Sequence, residues 1–283
     1  MTARLGFFLL IVLGLAGRLS AAPDPVLKAV SPGDEVIRLF NGQNLDGFYT
    51  WTREAKYEDP EHVFTVHDGL LHISGNGYGA VITKQAYHDY RLIAEFRWGQ
   101  RTWGKREHRA KDSGILVHCV GPDGNSGAWM ASIEAQIIEG GVGDFIVVGG
   151  KYSDGTPVPV SLTCELRTDA KGNVFKDATG VYWKRGGRRE ALHASRINWY
   201  GRDPDWKDVL GFRGKNDVES PDGEWTRMEV ICDGGQIRVL VNGVPVNEGS
   251  QAFPSAGKIL FQTEMAEIFF RKIELWPLPG KKK

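Results

Sequence analysis

Between residues 89 and 98, DYRLIAEFRW sets Leu92, Ala94, Phe96 and Trp98 on one side and Arg91, Ile93, Glu95 and Arg97 on the other. That two-residue period is the mark of a half-buried β-strand. It returns in SIEAQIIEG (132–140), where Ile133, Ala135 and Ile137 share a face and Glu134 and Gln136 share the opposite one. DSGILVHCV (112–120) opens on a turn residue and a glycine, then runs apolar through His118. Turn signals separate such runs. Asp68 and Gly69 form a tight turn ahead of a strand in HDGLLHIS, and EWTRMEVICDGGQIRVLVNGVPV reads as three strands meeting at Asp233–Gly234 and Asn242–Gly243. These dipeptides accept the positive φ values of hairpin turns. GKILFQTEMAEIFFRKIELWPL adds two closing strands around a turn near Met265 to Glu267. No long amphipathic helix is evident, and strands so regularly spaced predict an all-β antiparallel sandwich of the jelly-roll type.

One stretch breaks the pattern. Residues 141–222 are rich in Gly, Pro and charge, with brief apolar runs such as FIVV and VSLTC. A structureless loop of that length is unusual inside a compact domain, so part of it is expected to form hairpins. It reads as a loop-rich insertion that walls a groove, within a single domain spanning 33–278 and followed by a short basic tail, 279–283.

The first residues change where that domain is expected to work. Arg4 precedes an apolar run from Leu5 to about Ala16, followed by Ser20, Ala21 and Ala22. This is the layout of a secretory signal (1–22), and the run is short for a membrane span. A periplasmic or secreted protein with no integral membrane segment after cleavage is the expectation. Lys plus Arg equals Asp plus Glu at 35 each, so steering toward nucleic acid is not indicated. Cys119, Cys164 and Cys232 permit at most one internal bridge, whose partners sequence cannot select. Cys119 and Cys232 sit in apolar runs as small buried hydrophobes. P-loop, nucleophile-elbow and HExxH motifs are missing from the sequence.

Taken in order, LFNGQNLDGF (39–48), DGLLHIS (68–74), GAVITKQAYHDYRLIAEFRW (79–98), DSGILVHC (112–119), IEAQIIEG (133–140), GEWTRMEVICDGGQIRVLVNGVPV (223–246) and GKILFQTEMAEIFFRKIEL (257–275) resemble the 3-keto-disaccharide hydrolase domain family, formerly a domain of unknown function. The likeness covers roughly 36–276 apart from 141–222. It implies a concanavalin A-like jelly roll and cleavage of glycosides already oxidised at sugar C3, by hydrolysis or by elimination then hydration. Two positions depart from the usual pattern. Asp112 replaces the Asn that commonly precedes Ser-Gly, and His118 stands where Arg is frequent.

The groove face then offers His118, Glu134, Gln136, Gln262 and Glu264 from three strands. A C3 ketone acidifies the proton on C2, so one base, one acid and one stabiliser of the enolate-like oxygen suffice. Glu134 or His118 is the candidate base, Glu264 the candidate acid or metal ligand, and Gln136 and Gln262 candidate donors to hydroxyl or keto oxygens. His118, Glu134 and Glu264 could equally hold a divalent metal ion. Asp112, and Arg109 and Lys111 in REHRAKDSG, are candidate substrate contacts, as is Trp199, which with Trp103, Trp129, Trp183 and Trp206 could stack on sugar rings.

EAQIIE also resembles the Glu-x-Asp-x-x-Glu strand of laminarinase-type glucanases, with Gln136 in the middle. A retaining pair needs carboxyl groups about 5–5.5 Å apart. Residues five apart in a regular strand point to opposite faces, so Glu139 joins Glu134 only if a bulge re-phases the strand. Two other functions therefore stand beside the 3-keto glycoside enzyme: a non-catalytic carbohydrate-binding module and a retaining β-glucanase. An oligosaccharide or 3-keto glycoside is the expected partner in each case.

Overall fold

The computed structural model describes residues 28–280. The predicted leader and the last three residues of the basic tail lie outside that range. The chain runs β1 (Ile37–Arg38), β2 (Phe48–Thr52), β3 (Phe64–His67), β4 (Leu70–Ile73), β5 (Tyr78–Thr83), β6 (Tyr90–Thr102), β7 (Asp112–Val120), β8 (Ala131–Ile138) and β9 (Phe145–Val148). It continues through β10 (Ser161–Leu166), β11 (Lys176–Asp177), β12 (Gly180–Tyr182), β13 (Arg188–Leu192) and β14 (Arg196–Asn198). Last come β15 (Thr226–Asp233), β16 (Gln236–Val241), β17 (Val244–Phe253), β18 (Lys258–Glu264) and β19 (Ala266–Trp276).

Two sheets result. One has the order β13-β10-β17-β16-β15-β6-β19-β4-β3, with β1 added on β19; the other is β11-β12-β14-β9-β8-β7-β18-β5-β2. The architecture is the jelly-roll sandwich that the spacing predicts. Alternation supplies the interior: Leu92, Ala94 and Phe96 of β6 and Ile273 of β19 face Ile115 and Val117 of β7, Ile133 and Ala135 of β8 and Phe261 of β18 in one apolar core. Across the layers, Phe261 meets Phe270 edge-on with ring centroids 5.3 Å apart. Among the described residues no helix is long and apolar enough to cross a membrane.

Turn chemistry holds with one shift. Asp68 (φ 51°) with Gly69 (φ 76°), and Asn242 (φ 48°) with Gly243 (φ 81°), take the left-handed pair of a two-residue hairpin turn. In DGG, however, Asp233 pairs with Gln236, so the turn is Gly234–Gly235, one residue later than expected. The doubled glycine frees Asp233 to stay in the ladder.

The segment 141–222 is less loop-like than its composition suggests. β9, β11, β12 and β14 extend one layer, and β10 and β13 extend the other. These strands are short and β13 shows Arg188 and Arg189 to solvent, so their apolar alternation is thin in the sequence. The longest irregular part that remains is 199–222, with shorter ones at 149–160 and 167–175.

Candidate functional site

The layer β2-β5-β18-β7-β8 has an outer face turned away from the core, and strand register decides what stands on it. Leu116 pairs with Glu134 and Gly114 with Gln136 between β7 and β8. Gln262 pairs with Ala80 and Glu264 with Tyr78 between β18 and β5. These pairs put Glu134, Gln136, Gln262 and Glu264 on one surface. Gly114 is what lets them meet, because a Cβ there would overlap the carboxylate of Glu134 and the amide of Gln262.

The cluster is buried. Glu134 and Gln136 are each 3% exposed and Gln262 is 0% exposed. Desolvation, then the charge on Glu264, hold the Glu134 carboxyl well above the usual carboxylate range, with the Arg196 guanidinium opposing. Burial also pushes Glu264 up to about 7, against Arg106 and Arg196. Glu264 keeps 17% of its side chain exposed, so it lies nearer the opening than Glu134 does.

Arg106 ties the polar residues together. Its guanidinium pairs with Asp112, lies 3.6 Å from Glu264 and 3.2 Å from Asp208. Asp112 in turn accepts a 3.0 Å hydrogen bond from Gln136 Nε2. Arg196 is held by Asp144 at 3.0 and 2.7 Å, and Asp144 also takes Arg202 and the Trp199 backbone N–H at 2.9 Å. Yet Gln136 Oε1 and both amide atoms of Gln262 are buried without a hydrogen bond of good geometry, the Gln262 amide lying beside the Glu134 carboxyl, whose ionised form it favours. Buried polar atoms are normally paired, and unpaired ones at the centre of a cluster mark a place where a ligand can complete the set.

Next to this polar patch the same face turns apolar. Ala80, Ile82, Leu116 and Leu260 join Trp51, Cys119 and Met130 in a second hydrophobic cluster, with Tyr49 and Trp129 against it. The segment 121–130 packs over it. Asp123 anchors that segment by accepting from Tyr49 Oη at 2.7 Å and Tyr57 Oη at 3.0 Å, and Trp129 donates its indole N–H to Gly79 O at 3.0 Å.

Several expected residues stand elsewhere. A bulge in β7 between Val117 and Val120 gives His118 a φ of 55°. The bulge turns His118 off the face of Leu116: fully buried, it lies edge-on to Tyr90 at 6.4 Å. Burial lowers its pKa to about 4, so it is a neutral interior histidine. Glu139 follows a β8 that has no bulge, and so it takes the face opposite Glu134. There it accepts from the backbone N–H groups of Gly211 (2.8 Å) and Lys111 (3.3 Å). Lys111 Nζ is 3.1 Å from Asp222, and the exposed Arg109 is 3.5 Å from Asp208. Trp199 and Trp183 are packed into the main core, not on a rim. Trp206 donates to Glu139 O at 3.1 Å under the Arg202 guanidinium, and Trp103 donates to Ser74 O at 2.8 Å.

A metal ion on His118, Glu134 and Glu264 does not fit, because His118 is on another side of the strand. Among the described residues no group of three His, Cys, Asp or Glu side chains is arranged to hold one. All three cysteines are free and buried.

Arg106, Asp144, Arg196 and Asp208 escaped sequence reasoning. Arg106 belongs to the same charge run as Arg109 and Lys111, and nothing in that run distinguishes the side chain that turns inward. Arg196 sits two residues before Asn198 in a three-residue strand too short to show a period.

A two-layer β-sandwich with a buried acid pair and unpaired amides on one outer face defines a jelly roll equipped for polar ligand chemistry. The sequence profile of the family described as the 3-keto-α-glucoside-1,2-lyase-like domain matches residues 35–275. The chain belongs to that family, the one its ordered motifs resemble, and is carbohydrate-active. No curated protein matches it. Among solved structures it is similar to a protein of Parabacteroides distasonis provisionally named a glycosyl hydrolase (16% identity, 86% of this chain and 94% of that one, TM-score 0.47). It is also similar to the carbohydrate-binding module CBM66 of Bacillus subtilis (7% identity, 81% and 94%, TM-score 0.44) and to a Bacillus licheniformis β-glucanase (9% identity, 87% and 98%, TM-score 0.40).

Proposed function

We propose that the protein cleaves the glycosidic bond of a 3-keto glycoside or disaccharide by elimination followed by hydration, and that it does so after export from the cytoplasm. The observation that carries this reading is the pair Glu134 and Glu264, two carboxyls raised by burial on one face, of which Glu134 is sealed at 3% exposure while Glu264 is 17% exposed with the Arg106 guanidinium beside it. Such a split assigns the roles of acid and base. Glu264, at about 7, is ionised in a large fraction of molecules at neutral pH and can act as a base. Glu134, buried more deeply and raised well above the usual carboxylate range, is suited to act as the acid. This reverses the roles that sequence alone favoured.

The ketone at C3 acidifies the C2 proton, which Glu264 takes. The electron pair left on C2 forms the C1–C2 double bond as the C1–O bond breaks, and the departing oxygen takes the proton of Glu134. Water then adds at C1 while a proton returns to C2. The amide of Gln262, which makes no hydrogen bond of good geometry, is suited to donate to the C3 oxygen as negative charge gathers there. Gln136 and Asp112, joined to Arg106, are suited to the ring hydroxyls. The family assignment supports a keto sugar as substrate, and the leader-like segment 1–22 is the support for export.

Purified protein incubated with a 3-keto disaccharide and with its unoxidised parent tests the reading. Cleavage of the oxidised sugar alone is expected. Tight binding of the unmodified glycan without any product would replace the enzyme with a binding module. Reducing ends released from unoxidised β-glucan would replace it with a glucanase.

A further inference from the structure

A cavity lies at one end of the sandwich, where β6 of one layer approaches the start of β7 and the end of β8 in the other. Segment 210–222 closes it, leaving a volume of about 440 Å³, within the range of about 300–1,000 Å³ that holds small-molecule ligands. It is separate from the acid pair. Lys111 and Asp112 are chain neighbours whose side chains part ways: Asp112 meets Arg106 and Gln136, whereas Lys111 lines this cavity.

The wall alternates in sign. Lys111 Nζ is 3.1 Å from Asp222 and 3.8 Å from Glu139. Arg213 is 3.3 Å from Glu219, whose carboxyl also takes the Trp98 indole N–H and, at 3.3 Å, the Gly140 backbone N–H. Lys111, Glu139 and Glu219 are 4%, 3% and 6% exposed. Burial pushes Glu219 up to about 8, and each cation of the wall has another carboxyl partner, Lys111 with Glu139 and Asp222 and Arg213 with Asp217 at 2.7 Å. An entering anion would have to compete with Glu139 for Lys111, and an entering cation with Lys111 for Glu139, and either would strand one member of that buried pair. A molecule rich in hydroxyls need not, since each hydroxyl can donate to a carboxylate and accept from an ammonium or guanidinium. Trp98, Leu210 and Pro221 add apolar surface suited to the C–H faces of a sugar ring.

We propose that this cavity is an accessory binding site for a neutral sugar of one or two rings, distinct from the place where the glycosidic bond is cleaved. The proposal does not depend on the catalytic reading.

The Trp98 indole, bonded to Glu219 in the wall, is its reporter. In 15N-labelled full-length chain the Trp98 indole N–H resonance, assigned with Trp98→Phe, is followed while glucose, galactose, mannose, xylose and cellobiose are titrated through the millimolar range. A saturable shift with at least one of these sugars is expected. Leu210→Trp, which fills the mouth from an exposed position, should abolish that shift while leaving turnover and unfolding temperature unchanged. Asp222→Ala, a second variant at an exposed side chain, should weaken binding about tenfold. An indole resonance unmoved by all five sugars overturns the proposal. So does a shift that survives both substitutions, or one that glucuronate or glucosamine produces and the neutral sugars do not.

Discussion

Two halves of one sheet face carry opposite chemistry. Around Leu116, Leu260 and Ile82 the outer side of β7, β18 and β5 is apolar and sealed by Trp51 and Met130. Beside it on the same face, β8 presents Glu134 and Gln136 and β18 presents Gln262 and Glu264, the first three buried as deeply and Glu264 nearer the surface. Burial of the first half favours folding through apolar area removed from water. Burial of the second opposes it, because two carboxyls are driven toward neutrality and amide atoms go unpaired. A strand alternation that stabilises the fold everywhere else is here kept against its stability cost. That is the physical signature of a working site.

Substitutions in the two halves should therefore separate activity from stability. Glu134→Gln is expected to lower turnover of a 3-keto glycoside by about 10²–10⁴-fold, with an unfolding temperature equal to or above that of the parent. Leu116→Ala is its mirror image. It should cost about 2–5 kcal/mol of stability in chemical denaturation, while turnover per folded molecule stays close to the parent value. If Glu134→Gln instead destabilised the chain and left turnover intact, the division between the halves would be wrong.

Acid and base limbs sharpen the contrast. His118, with its folded pKa lowered to about 4 from an ordinary value of 6.5, binds a proton more readily in the unfolded chain. Its contribution to stability is present above pH 6.5 and is lost as pH falls through about 4, a change of about 3 kcal/mol. Denaturation curves between pH 7 and 4 should show that loss in the parent and not in His118→Asn, where Asn also tolerates the left-handed backbone. Glu264 works the other way. Its folded pKa of about 7 exceeds the ordinary 4.5, so stability from this group is fully present below 4.5 and declines as pH rises through 7. As the base, Glu264 should also set an acidic limb near 7 in the pH profile of kcat/KM. The smallest effect is expected from Arg106→Gln, which removes a charge favouring the ionised form and should move that limb to higher pH.

Most of the sandwich was legible because period-two alternation and hairpin dipeptides are local. Ile133, Ala135 and Ile137 reveal their face without knowledge of any partner strand, and Asn242–Gly243 is a turn in any context. What failed was whatever depended on phase or on distant chain. The bulge that removes His118 from the face of Leu116 leaves no mark in VHCV, which reads as an unbroken apolar strand. Trp199 looks like a rim aromatic beside charged loops, yet the core takes it. Arg106, Arg196 and Asp208 reach the cluster from three separate segments, and only tertiary structure brings them to Glu264. Even the burial that raises both carboxyls is encoded by no spacing.

The direct test of the acid–base division is the fate of the C2 hydrogen. A 3-keto disaccharide is cleaved in D2O and the released keto sugar is examined by NMR at early times, against the free sugar in the same buffer. If Glu264 takes the C2 proton and water adds after the leaving group departs, each product molecule carries deuterium at C2, and Glu264→Gln forms neither product nor label. Product released with its C2 hydrogen retained, and formed as fast by Glu264→Gln as by the parent, would contradict the account.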